Sequence, residues 1–114
     1  MARVYSVLIA EGEYSGAGIG GQEIYLWDDS WSGIVVVRDV IISGGGYAGG
    51  WGDACLVRDL STGNNLWGWG IGGWDSATPW HWEGRQVFPA AQSVIMQSNT
   101  NGWLYRFTGY NLST

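Results

Sequence analysis

The chain of 114 residues has no lysine, one cysteine and two prolines, and only 13% of its residues are charged. Its cations are five arginines, against ten acidic residues, which gives a formal charge of −5. Proteins that bind nucleic acid through its phosphates need clustered cations, so we expect no nucleic-acid partner. No apolar run reaches the roughly 18 residues of a membrane-spanning helix, so no membrane insertion is predicted.

Residues for catalysis and metal binding are also scarce. Cys55 stands alone, which excludes an intrachain disulfide and a cysteine-based zinc site. The single histidine, His81, has only Asp75 and Glu83 as acids nearby in sequence, too few partners for a catalytic triad or a metal site. The motif Gly16-x-Gly18-x-x-Gly21 precedes a predicted strand, whereas a dinucleotide site needs a helix there. We therefore expect no enzyme activity, cofactor or metal.

Strand signals run through the whole sequence, while no stretch keeps a helical period for three turns. Glycine, β-branched and aromatic residues dominate, and clusters of turn residues separate the apolar segments. The predicted strands are Arg3–Ile9, Gln22–Trp27, Ile34–Ser43, Asp53–Leu60, Leu66–Ile71, Trp82–Phe88, Ser93–Ser98 and Trp103–Leu112.

About eight strands at this spacing predict a single all-β domain over residues 1–114. The simplest architecture is an antiparallel two-sheet β-sandwich of the jelly-roll kind. In the last strand Trp103, Tyr105 and Phe107 alternate with Leu104 and Arg106, so both faces carry apolar or amphipathic side chains. A small β domain with two such faces often buries one of them against another subunit.

Tryptophan is the strongest signal, with nine copies in the chain. A core this small holds only some of these indoles, because each buries roughly 200 Å². The others are expected at an oligomer interface, on a sugar-stacking platform or at a membrane surface, which the charge of −5 disfavours. The predicted partner or glycan contacts are Trp51, Trp67, Trp69, Trp74, Trp80 and Trp82.

Three charged residues are assigned structural roles. Arg38 and Asp39 lie in Val37-Arg38-Asp39-Val40, which recurs as Val57-Arg58-Asp59-Leu60, and strand alternation predicts that the Arg and the Asp face opposite sides. Arg85 follows Gly84, two positions after Glu83, and is expected to hold a carboxylate of a neighbouring strand or subunit.

Several short motifs carry a family resemblance: Val35-Val36-Val37-Arg38-Asp39-Val40, Trp82-Glu83-Gly84-Arg85-Gln86-Val87-Phe88-Pro89, and the terminal Gly109-Tyr110-Asn111-Leu112. In this order they resemble the small jelly-roll accessory proteins of tailed bacteriophage virions, especially phages of actinobacteria. The chain departs from the pattern in its Trp- and Gly-rich middle, Gly44 to Trp80, and in having Ala90 where a glycine turn is common.

The resemblance implies a non-enzymatic part of a virion, either a minor tail protein or a head decoration protein, made in the cytoplasm of the host bacterium. It implies a homo-oligomer, with a trimer favoured, that contacts other virion proteins. Contact with host cell-wall glycan fits the exposed indoles. A stand-alone carbohydrate-binding, lectin-like domain is the alternative.

Overall fold

The computed structural model describes residues 6–16, 18–27, 30–44, 53–71, 80–89, 92–98 and 101–112, without the side chains of 53–55, 68–71 and 80. In this part of the chain there are eight strands and no helix, which confirms the predicted all-β class. Consequently none of its elements is a helix able to cross a membrane. The strands are β1 (Val7–Glu13), β2 (Gln22–Tyr25), β3 (Ile34–Gly44), β4 (Asp53–Asp59), β5 (Asn65–Ile71), β6 (Trp80–Phe88), β7 (Ser93–Ser98) and β8 (Trp103–Leu112).

The strands form two antiparallel four-stranded sheets, in the orders β1-β8-β3-β6 and β2-β7-β4-β5. The pairs β1–β8, β2–β7, β3–β6 and β4–β5 are nested along the chain, as they are in a long hairpin that has been wrapped into a jelly roll. The predicted two-sheet sandwich of about eight strands is therefore confirmed.

The first strand lies further along the chain than predicted. It extends past Ile9 to Glu13, and residues 3–5 are outside the described part. Glu11, Gly12 and Glu13 have poor strand propensity, but they pair with Arg106, Tyr105 and Leu104 of β8. Pairing with a long central strand therefore overrides the local preference.

The core lies between the two sheets and receives side chains from both. It contains Trp67 of β5, Phe107 of β8 and Tyr14, whose hydroxyl accepts a hydrogen bond from the Ser98 N–H at 2.9 Å. Tyr14 follows β1 and Ser98 ends β7, so this bond connects one sheet to the other. The remaining buried members are Ile24, Leu26, Val35, Val37, Val40, Ile42, Val57, Phe88, Val94, Met96 and Trp103.

A β-bulge interrupts β3 at Arg38, where the register with both neighbouring strands shifts between Val37 and Asp39. Val37 belongs to the core before the bulge and Val40 after it, so the inward-facing phase changes by one residue. Arg38 is exposed and Asp39 half-buried, and neither belongs to the core. The prediction that they face opposite sides of a regular strand is wrong, because simple alternation fails at a bulge.

Candidate functional site

The candidate site is the outer face of the β1-β8-β3-β6 sheet, the face directed away from the core. Leu104 and Arg106 of β8 alternate with the inward-facing Trp103, Tyr105 and Phe107, as the sequence predicts. On β3, Ile41 is in register with Arg106. Cross-strand partners share a face, so the register assigns these side chains to one surface.

Large apolar side chains are exposed on this outer face. Leu104 is 53% exposed, Leu8 45%, Val87 42% and Ile41 38%. They come from all four strands of the sheet, since Leu8 pairs with β8 and Val87 pairs with β3. Single exposed apolar residues are ordinary, but several on one sheet face indicate a contact surface.

A cavity of about 650 Å³ opens at the β1 side of the sheet. Its lining combines apolar and charged groups. The Arg106 Nε lies 3.8 Å from the Glu11 Oε2, and both of these side chains are exposed. The side chain of Tyr105 points inward, and its hydroxyl accepts a hydrogen bond from the Gln22 Nε2 of the other sheet at 3.4 Å. Burial raises the pKa of Tyr105, so this hydroxyl stays neutral at physiological pH. The lining also includes Gly12, Glu13, Ile41, Ser43 and Leu104.

At the β6 side of the same sheet, Asp39, His81 and Glu83 form a polar cluster. The His81 Nε2 lies 3.1 Å from the Asp39 Oδ1 and 3.9 Å from the Glu83 Oε1. Thr108 of β8 donates a hydrogen bond to the other carboxylate oxygen of Asp39 at 3.4 Å. Asp39 is 42 residues from His81 in sequence, and the pairing of β3 with β6 brings it to His81 and Glu83.

The motifs that carry the family resemblance lie on the adjacent strands β6, β3 and β8. The Arg38 Nε donates a hydrogen bond to the Gly84 carbonyl at 3.2 Å, which joins the first motif to the second. A Cβ on Gly84 would come within 2.6 Å of the Trp82 indole, so the ring packs against the bare backbone of the glycine. Gly109, in the third motif, pairs with Val37 of β3. The glycines thus have packing reasons that the sequence alone does not reveal.

Trp67 does not lie on a binding surface. It is 5% exposed and belongs to the core. Its ring centroid lies 5.2 Å from that of Trp82 and 5.9 Å from that of Phe107, which joins the two sheets through aromatic contacts. Trp82 is half-buried and packs against the same core. The expectation that Trp67 contacts a partner or glycan is therefore corrected, because its indole is needed to fill the space between the sheets.

The other four predicted contact tryptophans cannot be placed in this way. Trp51 and Trp74 lie outside the described residues. Trp69 pairs with Cys55 along β4–β5, and Trp80 begins β6 in register with Ile42, but their side chains are not described.

Arg85 is exposed, and its side chain forms no hydrogen bond or ion pair with any residue that the structure describes. The expected contact with a carboxylate of a neighbouring strand is not found among those residues. Arg85 lies on β6, which belongs to the sheet that carries the outer face. Its second expected partner, a carboxylate of another subunit, stays a prediction.

One polar cluster that the sequence analysis missed organises the β4–β5 turn. The Asp59 Oδ1 accepts hydrogen bonds from the Ser61 N–H at 2.8 Å, the Ser61 hydroxyl at 2.7 Å and the Gln92 Nε2 at 2.6 Å. Gln92 precedes β7, so the side chain of Asp59 fixes its own turn and connects it to the start of another strand. The sequence Asp59-Leu60-Ser61-Thr62-Gly63 carries a detectable signal, since Asp is favoured at the first position of such turns.

We expect Asp59→Asn to destabilise the fold at neutral pH by about 1–2 kcal/mol, comparable to the loss of a side-chain cap. Burial by itself would raise the pKa of Asp59, but the hydrogen bonds from Ser61, Gln92 and Thr62 together lower it below the ordinary 3.8. The carboxylate therefore stabilises the native state above about pH 4, and this contribution is lost as the pH falls through its lowered pKa.

Urea unfolding of wild type and Asp59→Asn, measured from pH 7 down to pH 3, checks this prediction. The difference in the free energy of unfolding between wild type and Asp59→Asn should be largest at neutral pH and should decrease below pH 4. Glu23→Gln, an exposed carboxylate on β2, controls for the change in net charge. A gap independent of pH would show that the ionised carboxylate of Asp59 does not stabilise the turn.

Comparisons with protein-family models, with curated proteins and with solved structures found no significant match to this chain.

Proposed function

We propose that this chain is a non-enzymatic structural protein that assembles with copies of itself through the outer face of the β1-β8-β3-β6 sheet. The observation that carries the proposal is the set of exposed apolar side chains on that face, led by Leu104 and Ile41. Protein interfaces bury such apolar centres and surround them with charged residues.

The charges around the apolar centre favour a second copy as the occupant. Both signs of charge are present around the apolar centre: Arg106 of β8 pairs with Glu11 of β1 at one edge of the sheet, and Glu83 and Arg85 lie on β6 at the opposite edge. A surface that carries acids and cations can pair with a copy of itself that is turned around, so that opposite charges meet across the interface. Arg85 then meets a carboxylate of the neighbouring subunit, the role predicted for it from the sequence.

The wider proposal is that the assembly belongs to the virion of a tailed bacteriophage, as a minor tail protein or a head decoration protein, with a homotrimer favoured. It is supported by the three motifs that resemble phage accessory proteins and by the jelly-roll order of the strands. Trp67 lies in the core, so this indole supports neither the lectin alternative nor glycan contact.

We expect wild type to be an oligomer at micromolar concentration and Leu104→Glu to weaken self-association by at least about tenfold, because an unpaired charge would be buried in the interface. Size exclusion with light scattering, at several concentrations, measures the effect. Ile19→Glu is the matched control, because Ile19 is 78% exposed in the turn between β1 and β2, away from the sheet. A monomeric wild type, or equal effects of the two variants, would contradict self-assembly through this face.

Immunogold labelling of virions from the phage that encodes the chain tests the virion proposal separately. Label on the capsid indicates a decoration protein, and label on the tail indicates a minor tail protein. Particles that carry no label while infected cells contain the chain would reject a virion role, and would leave the self-assembly result intact.

A further inference from the structure

We propose that Asp39, His81 and Glu83 form a zinc-binding site on the outer face of the sheet. This inference does not depend on the proposed assembly function. It corrects the expectation that His81 has too few acidic neighbours, since Asp39 comes from another strand.

The strand pairing explains why the three side chains converge. Asp39 of β3 is directly in register with Glu83 of β6. His81 and Glu83 are two positions apart on β6, so they project from the same side of the strand. The bulge at Arg38 shifts the phase of β3 and brings Asp39 into this register.

The distances suit one small ion held between the three donors. The His81 Nε2 is 3.1 Å from the Asp39 Oδ1 and 3.9 Å from the Glu83 Oε1, and the three donor atoms lie within 4.8 Å of one another. Tetrahedral zinc, with bonds of about 2.0–2.1 Å, separates its ligand atoms by roughly 3.3 Å. Small rotations of two exposed side chains are enough to reach that geometry.

The donor types select the metal. An imidazole nitrogen with two carboxylates is a ligand set of zinc, whereas calcium and magnesium prefer oxygen donors alone. The two carboxylates also balance the charge of a divalent cation. Thr108 holds the second oxygen of Asp39 by a hydrogen bond, which is the outer-shell support that orients metal ligands.

The cluster of Asp39, His81 and Glu83 contributes little to the stability of the fold. The side chain of His81 is 46% exposed and that of Glu83 is 74% exposed, and ion pairs between such groups contribute little to folding. A cleft of about 340 Å³, lined by Arg38, Asp39, Glu83 and Gly84, opens beside the two carboxylates. It leaves room for water or an anionic ligand in the fourth position of the zinc.

Competition with a chromophoric zinc chelator, using untagged protein at pH 7.5, tests the proposal. Wild type should bind one zinc ion per chain. Glu83→Gln and His81→Ala should each lower the zinc affinity by more than roughly tenfold to hundredfold, which is the loss of affinity caused by removing an outer-shell partner. Glu11→Gln, which removes an exposed carboxylate from β1 of the same sheet, is the matched control and should bind like wild type.

Cobalt(II) absorption gives a second readout that a nonspecific acidic surface does not produce. Wild type with one equivalent of cobalt should show the strong visible bands of a four-coordinate site, and His81→Ala should lose them. The proposal is overturned if wild type binds no zinc, or if Glu83→Gln and Glu11→Gln bind it equally. Circular dichroism of each variant verifies that the fold is retained.

Discussion

Gly109→Ala should destabilise the protein by about 3 kcal/mol or more, at the upper end of overpacking effects. Gly109 is buried in β8, and a Cβ there would overlap the carbonyl oxygen of Val36 and come within 3.0 Å of the Ile9 side chain. The main obstacle is backbone, which cannot rotate away as a side chain does. Relief therefore requires β8 to move away from β3 in the centre of the sheet.

Thermal and urea unfolding measure this effect, and a loss of this size lowers the Tm by about 10 °C or more. Gly12→Ala is the matched control, because its Cβ would meet only the outer end of the Tyr105 side chain on the same sheet. That ring can shift, so we expect a loss of about 1 kcal/mol. If Gly109→Ala has the same Tm as wild type, the result contradicts the close approach of β8 to β3 at Gly109.

The strands were predictable because local signals and tertiary structure agree over most of the chain. In β8, the alternation of Trp103, Tyr105 and Phe107 with Leu104 and Arg106 fixes the strand and its two faces before any partner is known. The loop after Asp59, rich in Ser, Thr, Gly and Asn, similarly marks the β4–β5 hairpin.

The bulge was not predictable, since nothing in Val37-Arg38-Asp39-Val40 indicates an extra residue. The second copy of the pattern, Val57-Arg58-Asp59-Leu60, ends β4 at Asp59 and has no core residue after it corresponding to Val40. The two copies have the same residue pattern but different contacts. Their Asp residues serve different purposes: Asp39 faces His81, and Asp59 fixes a turn.

The polar clusters depend on long-range register, which a single sequence does not contain. Asp39 and His81 are 42 residues apart, and Asp59 and Gln92 are 33 apart. Only Asp75 and Glu83 lie close to His81 along the chain, so the sequence alone predicts no metal site. The pairing of β3 with β6 supplies the missing carboxylate.

The tryptophans show where composition misleads. An excess of indoles predicts some outside the core, but it does not say which ones. Trp67 alternates with Gly68 on a strand that could expose either side, and the structure places the Trp67 side chain inward, in register with the buried Val57. Its neighbour across the sandwich is Trp82, whose ring meets it edge-on.

Trp67→Ala should therefore unfold the protein more easily, with a loss of about 3–5 kcal/mol in the free energy of unfolding. The cost has two parts, the apolar area returned to water and the cavity left between Trp82 and Phe107. Because these rings join opposite sheets, the cavity lies across the sandwich, where neighbouring side chains cannot easily collapse into it.

Urea unfolding, followed by circular dichroism, measures the loss, and Trp67→Phe is the control. Phenylalanine keeps an aromatic ring against Trp82 and leaves a smaller cavity, so its cost should be about half as large. A partner contact at Trp67 would give the opposite pattern, with unchanged unfolding and weaker self-association in light scattering. If Trp67→Ala retains wild-type stability, the indole is not part of the core, and the aromatic contact between the two sheets must be abandoned.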